Sequence, residues 1–187
     1  LKKFVLDGGS VFTEDWGLKE LTSKAWPEFV GVGDELKEQK VDYAPVPGQA
    51  GTPLLRGVMA SKGDGASSVT RRETNWKVDN LSPAVKVVDP AKVQVLLASQ
   101  KLKESNGADQ AAVALVFEPG ESASGDGKGG RRPMTGKKRR KSRSKGQPAP
   151  TTGLVLHVLS HFGKQGTKED EFTLQNLLVN WLLEAQE

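Results

Sequence analysis

Three features of the sequence predict a mixed α/β protein interrupted by a long cationic insertion. Residues 84–117 read as strand, helix and strand; residues 167–185 carry a helical apolar stripe; and residues 119–151, between them, are rich in Gly, Ser and Pro with no hydrophobic period. The expected architecture is a β–α–β unit with a C-terminal amphipathic helix packed on a small mixed sheet, within the mixed α+β class. The expected division is an α/β body over 1–118, a basic disordered arm over 119–151, and a segment over 152–187. That last segment either completes the body or forms a small helical appendage.

Taken in order, Phe4-Val5-Leu6 and Ser10-Val11-Phe12 flank Asp7-Gly8-Gly9, which predicts a short hairpin or a strand with a tight turn. Thr13 is placed to cap a helix whose first turn holds Glu14 and Asp15 and which stops before Pro27. Phe29-Val30 reads as a strand, 34–39 as a helical turn, and 41–46 as extended chain closed by Pro47-Gly48. Residues 54–59 read as a further strand, 61–68 as a loop, and 69–78 as a partly exposed strand. The β-branched run 84–88 leads to Asp89-Pro90, a cap and first-turn signature, so a helix is expected over 90–104 with Asn106-Gly107 as its stop. The uninterrupted apolar run 111–117 is the pattern of a strand covered on both faces. After the arm, 154–159 is a strand that extends this sheet or the apolar face of a helix, with a separate helical hairpin as the alternative. Thr167 caps a helix whose Leu174, Leu177, Leu178, Trp181, Leu182 and Ala185 share one face.

Charge is the most uneven property of the chain. The net charge is +4, yet no Asp or Glu occurs from Gly127 to Lys168, a window holding 12 of the 27 Lys and Arg residues. Outside it, 15 bases face 23 acids. A local cationic segment on a mildly acidic body is the composition of a polyanion-binding protein. The candidate nucleic-acid contacts are Lys128, Arg131, Arg132, Lys137, Lys138, Arg139, Arg140, Lys141, Arg143 and Lys145. Such a cluster neutralises closely spaced phosphates and releases counterions; its arginines can also grip a phosphate bidentately or stack on a base. A segment without periodicity suits single-stranded or irregular nucleic acid, so RNA is preferred over DNA. The same run fits a nuclear or nucleolar localisation signal, and also a contact with acidic lipid or protein. Ser142 and Ser144, set among bases, are candidate phosphorylation sites whose modification would weaken polyanion binding, although serines also simply solubilise such segments.

Other chemistry finds little support. The chain has no Cys, which removes disulfides, thiolate metal sites and a Cys nucleophile. His157 and His161, the only histidines, are four apart; they read as ordinary partly exposed or alternate-face residues rather than as a metal site. Gly125, Gly127 and Gly130 match the dinucleotide fingerprint in letters, but no helix follows to hold a pyrophosphate. No catalytic residue, metal or cofactor is assigned. Among Trp16, Trp26, Trp76, Trp181 and Tyr43, Trp76 is kept as the candidate stacking residue because Arg71, Arg72 and Lys77 lie beside it, whereas Trp181 reads as core. No apolar run reaches the length of a membrane span and no signal-peptide pattern follows Leu1, which is read as the start of a processed product or fragment. The expectation is a soluble, intracellular, non-enzymatic RNA-binding component of a ribonucleoprotein or of a viral or nuclear assembly, with protein subunits as further partners. The alternative is a protein–protein adaptor whose basic run is only a nuclear address.

Overall fold

The computed structural model describes residues 1–59, 74–120 and 152–185. A short helix α1 (Lys2–Leu6) precedes strand β1 (Val11–Glu14), and a π-helical turn (Leu18–Thr22) runs into a single helical turn, α2 (Ser23–Ala25). Strands β2 (Val30–Glu35), β3 (Gln39–Asp42) and β4 (Ala44–Pro45) are followed by a 3-10 turn at Pro53–Leu55. Next come β5 (Asn75–Val78), β6 (Pro83–Val87), β7 (Gln94–Ala98), helix α3 (Gln100–Asn106), a 3-10 turn at Ala108–Gln110, and β8 (Ala112–Phe117). Strand β9 (Val155–Val158) and helix α4 (Lys168–Glu184) complete the described chain.

A curled mixed sheet of seven strands is built around β8. Strand β7 lies antiparallel along one edge of β8, and β4 extends β7. The opposite edge is shared. Strand β9 pairs with Ala114–Phe117, while β6 reaches β8 only at Val85↔Ala112 and carries β2 on its far side. Strand β1 joins β9 in parallel, and β3 and β5 form a separate antiparallel ribbon.

Both faces of the sheet are covered, which explains why 111–117 and 154–159 are apolar without alternation. On one face, Val113, Ala114, Val116, Leu156 and Val158 pack with Trp76 and Tyr43 and with Leu174, Leu177 and Trp181 of α4. On the other, Leu115, Phe117 and Val155 pack with Val5, Leu18, Trp26 and Phe29. Phe117 stacks on Phe29 at 4.8 Å and meets Trp26 edge-on at 5.7 Å. The two-one switch at Val113 and Ala114, which face the same side, coincides with a register irregularity against β7.

Helix α4 begins where the sequence places it. Thr167 Oγ1 accepts the Asp170 amide at 3.1 Å, and Glu169, Asp170 and Glu171 occupy the first turn, where the helix dipole favours negative charge. Its buried face is Thr173, Leu174, Leu177 and Trp181.

Several expectations are corrected. Residues 4–6 are wound into α1 rather than paired in a hairpin, and Gly8, at φ 97°, turns the chain toward β1. Thr13 lies in β1 and caps nothing; the helical stretch starts only at Leu18. Residues 34–39 run from the end of β2 through a short bend into the start of β3 and form no helical turn. Residues 54–59 form no strand because α4 takes their carbonyls: Asn180 donates to Leu54 and Arg56, and Asn176 to Gly57. The helix expected over 90–104 is divided. Asp89 caps only a turn, accepting from Ala91; 94–98 is a strand, and Ser99, accepting the Leu102 amide at 3.1 Å, is the true N-cap of α3. The β–α–β unit is therefore strand, strand, helix and strand, with β6 and β8 antiparallel.

Candidate functional site

Strands β8 and β9 are antiparallel neighbours with Phe117 opposite Val155, so the cationic segment is inserted in the connection between two paired strands. Its C-terminal root is fixed by three contacts. Gly153 donates to the Val5 carbonyl at 2.8 Å, the Leu154 amide donates to Ser10 Oγ at 3.0 Å, and Leu154 O accepts from Val11 at 2.8 Å. Gly153 is required here, because a Cβ would collide with the Gly9 carbonyl. The sequence-derived contacts Lys128, Arg131, Arg132, Lys137, Lys138, Arg139, Arg140, Lys141, Arg143 and Lys145, with Ser142 and Ser144, lie outside the described residues. The described residues carry 14 bases against 18 acids, whereas 121–151 carries 10 against 2.

The aromatic residues sort differently from the sequence expectation. Trp76 is fully enclosed: its ring stands 4.2 Å from that of Tyr43, and its Nε1 donates to Thr173 Oγ1 at 3.0 Å. No base can reach it, so its role is to join β5 to α4. Tyr43 donates to the same Thr173 oxygen at 3.1 Å, and burial pushes its hydroxyl up to about 12. Trp26 and Trp181 are buried as well. Trp16 is the exception, 40% exposed, with Lys19 Nζ 5.8 Å from its ring centroid. An aromatic face beside a cation is the pairing that single-stranded nucleic acid uses. The signal was present in the sequence as a Trp and a Lys three residues apart, which the turn leading into Leu18–Thr22 brings together.

The histidines are separated. His157 lies in β9, buried, with Nδ1 3.0 Å from Thr13 Oγ1, which is itself 2.9 Å from Thr22 Oγ1. Burial lowers its pKa to about 3, so the ring is neutral, and its Nε2 has no protein partner. His161 lies past the strand, Nδ1 3.0 Å from Glu14 Oε1. Glu14 Oε2 also accepts the Phe162 amide at 3.0 Å, and Lys164 donates to Asp79 at 2.5 Å. Between these pairs sits Asp15, 2% exposed, in a left-handed conformation at φ 43°. Burial pushes its carboxyl above the usual range, against the opposing pull of the Ser82 hydroxyl and with the nearby Asp79 charge adding to it. This cluster locks the ends of β1 and β9 together; its one perturbed carboxylate is sealed from any substrate. Among the described residues no group of three His, Asp or Glu side chains is arranged to hold a metal ion, and no helix is long and apolar enough to cross a membrane.

The class that fold and charge define is a curled α+β body with a polycationic insertion. Comparison of the chain with protein-family models, with curated proteins and with solved structures gives no match.

Proposed function

We propose that this chain is a non-enzymatic nucleic-acid-binding protein, with RNA preferred over DNA, that works within a ribonucleoprotein or a viral or nuclear assembly. The observation that carries this reading is the placement of ten bases in a connection between paired strands of a body that is itself net acidic. A body of that charge does not attract phosphate backbone, so binding is assigned to the inserted segment. Trp16 with Lys19 supplies a second, stacking contact. The test is binding of a labelled single-stranded RNA and of a duplex DNA across a salt series. The intact chain is compared with one in which 128–145 is replaced by a Gly/Ser linker. A steep salt slope that the replacement abolishes supports the reading; binding that is absent, or unchanged by the replacement, removes it.

A second reading has its own support. Phe172, Val179, Leu182 and Leu183 are about half exposed along the outer face of α4, as expected of an adaptor that docks this helix on a protein partner and uses the basic run only as a nuclear address. Complexes that survive deletion of the basic segment and are insensitive to salt favour it.

A further inference from the structure

A cleft of about 430 Å³ opens where α3 and the 3-10 turn at Ala108–Gln110 meet β4, β6 and β7. It sits at the start of β8, where Ala112 is bridged to Val85 on one edge and to Ala98 on the other. Small side chains keep the space open: Ala98, Ala108, Ala111 and Ala112 all line it, where leucine or valine would fill it. Val87 and Val95 add apolar wall, and both remain only half-buried. An apolar lining left without partner atoms gives up dispersion contacts that a ligand restores.

Two charges line the mouth, Asp42 and Lys103, and among the described residues only Asp42 has its partners within the fold. Its carboxylate is filled: it accepts from Ser99 Oγ at 2.8 Å and from the Gln100 and Lys101 amides at 3.0 and 3.1 Å. Burial alone would raise its pKa, and these bonds more than offset that, holding it below the usual carboxylate range. Lys101 donates to the Lys40 carbonyl, and Gln100 to Glu104. Lys103 lines the same mouth and has no carboxylate partner among the described residues.

We infer that this cleft is a binding site for a small amphipathic anion, with an apolar body on Val87, Val95 and the alanine floor and a carboxylate on Lys103. A neutral molecule of the same shape leaves Lys103 without its counter-charge, and a cationic one is repelled by it. The site is independent of the nucleic-acid reading.

The test is a titration of the ¹⁵N-labelled full chain with sodium octanoate below its micelle concentration, alongside octan-1-ol and octylammonium. Octanoate is expected to move the amide signals of Val87, Val95, Ser99 and Lys103 and to bind more tightly than octanol, with octylammonium weakest. Lys103→Glu should weaken octanoate by about two- to fivefold, the scale of an exposed ion pair, and leave octanol unchanged. Ala98→Phe fills the floor and should abolish binding. Ala108→Trp obstructs the mouth from an exposed position, so a folding defect at 98 does not decide the matter. Absence of shifts at those four amides, equal affinity for octanoate and octylammonium, or octanoate binding untouched in the folded Ala108→Trp chain overturns the site.

Discussion

His157 shows how far one enclosed side chain can set the response to acid. Its folded-state pKa, lowered to about 3, lies below the unfolded value of 6.5, so its contribution is fully present above pH 6.5 and is lost as pH falls toward 3. Asp15 acts in the opposite sense. Its raised pKa means the folded state holds the proton more tightly, a contribution present at low pH and lost as pH rises through the folded value. A raw stability profile mixes the two, so the informative quantity is the difference between the wild type and His157→Gln. Below pH 6.5 that difference should move against the wild type by up to about 1.4 kcal/mol per pH unit, read by urea unfolding at a series of pH values. Parallel profiles would show that the imidazole is reached by protons without unfolding. The two tryptophans give a second test at this scale. Trp16→Ala should leave stability within about 0.5 kcal/mol and weaken single-stranded RNA by about 1–3 kcal/mol if the exposed ring stacks on a base. Trp76→Ala should cost about 3–5 kcal/mol of stability instead, because it empties a packed site and leaves Thr173 without that donor. Equal effects of the two substitutions on RNA affinity would remove Trp16 from the interface.

Helix α4 has two apolar sides, and only one of them is used within the described body. Leu177 is buried against the sheet, whereas Leu183 is 60% exposed. Leu177→Ala should therefore lower the unfolding free energy by about 2–5 kcal/mol, and Leu183→Ala should change it by no more than about 0.5 kcal/mol. Denaturant unfolding of the two variants distinguishes this orientation from a rotated helix, in which the ranking reverses. The element was legible because everything that specifies it is local: the Thr167 cap, the acidic first turn and the leucine spacing. Strand β8 was legible for a related reason, since burial on both faces demands a continuous apolar run; the similar run at 154–159 is equally compatible with a helix face, and pairing with β1 and β8 selects the strand β9. Where sequence reasoning failed, a distant partner decided the conformation. Val11–Glu14 are extended because β9, more than 140 residues away, pairs with them, although Thr13-Glu14-Asp15 has the letters of a helix start. Gln94–Ala98 holds apolar residues compatible with either period, and pairing with β8 selects the strand; the helix then begins at the next competent cap, Ser99. A neighbouring base is no guide to Trp76 because adjacent strand residues face opposite ways: β5 alternates, with Lys77 on its part-exposed side and Trp76 turned beneath α4. The exposure of Trp16 is not readable from the sequence because it depends on how the π-helical turn sits on the sheet.

At the scale of the whole molecule, the separation of charge was visible in the sequence, but its meaning depends on topology. The composition of 119–151 alone is equally that of a linker between two domains. Pairing of Phe117 with Val155 makes it an insertion within one sheet, because the 37 residues from 118 to 154 begin and end at neighbouring strands. An insertion that contributes no packing to the body costs only the entropy of closing a longer loop. Replacing 121–151 by three glycines, while keeping 118–120 and the Gly153 and Leu154 anchors, should therefore raise stability by about 1 kcal/mol, since closure entropy grows with the logarithm of length. The expected readout is a higher urea midpoint, together with unchanged hydrogen-exchange protection of the amides in β8 and β9. The same variant should lose the salt-dependent affinity for RNA. A fall of about 2 kcal/mol or more, or loss of protection in β9, would mean that residues within 121–151 hold the body together. The charge pattern would then belong to folding as much as to binding. Gained stability with lost affinity is the combination that assigns the segment to binding alone.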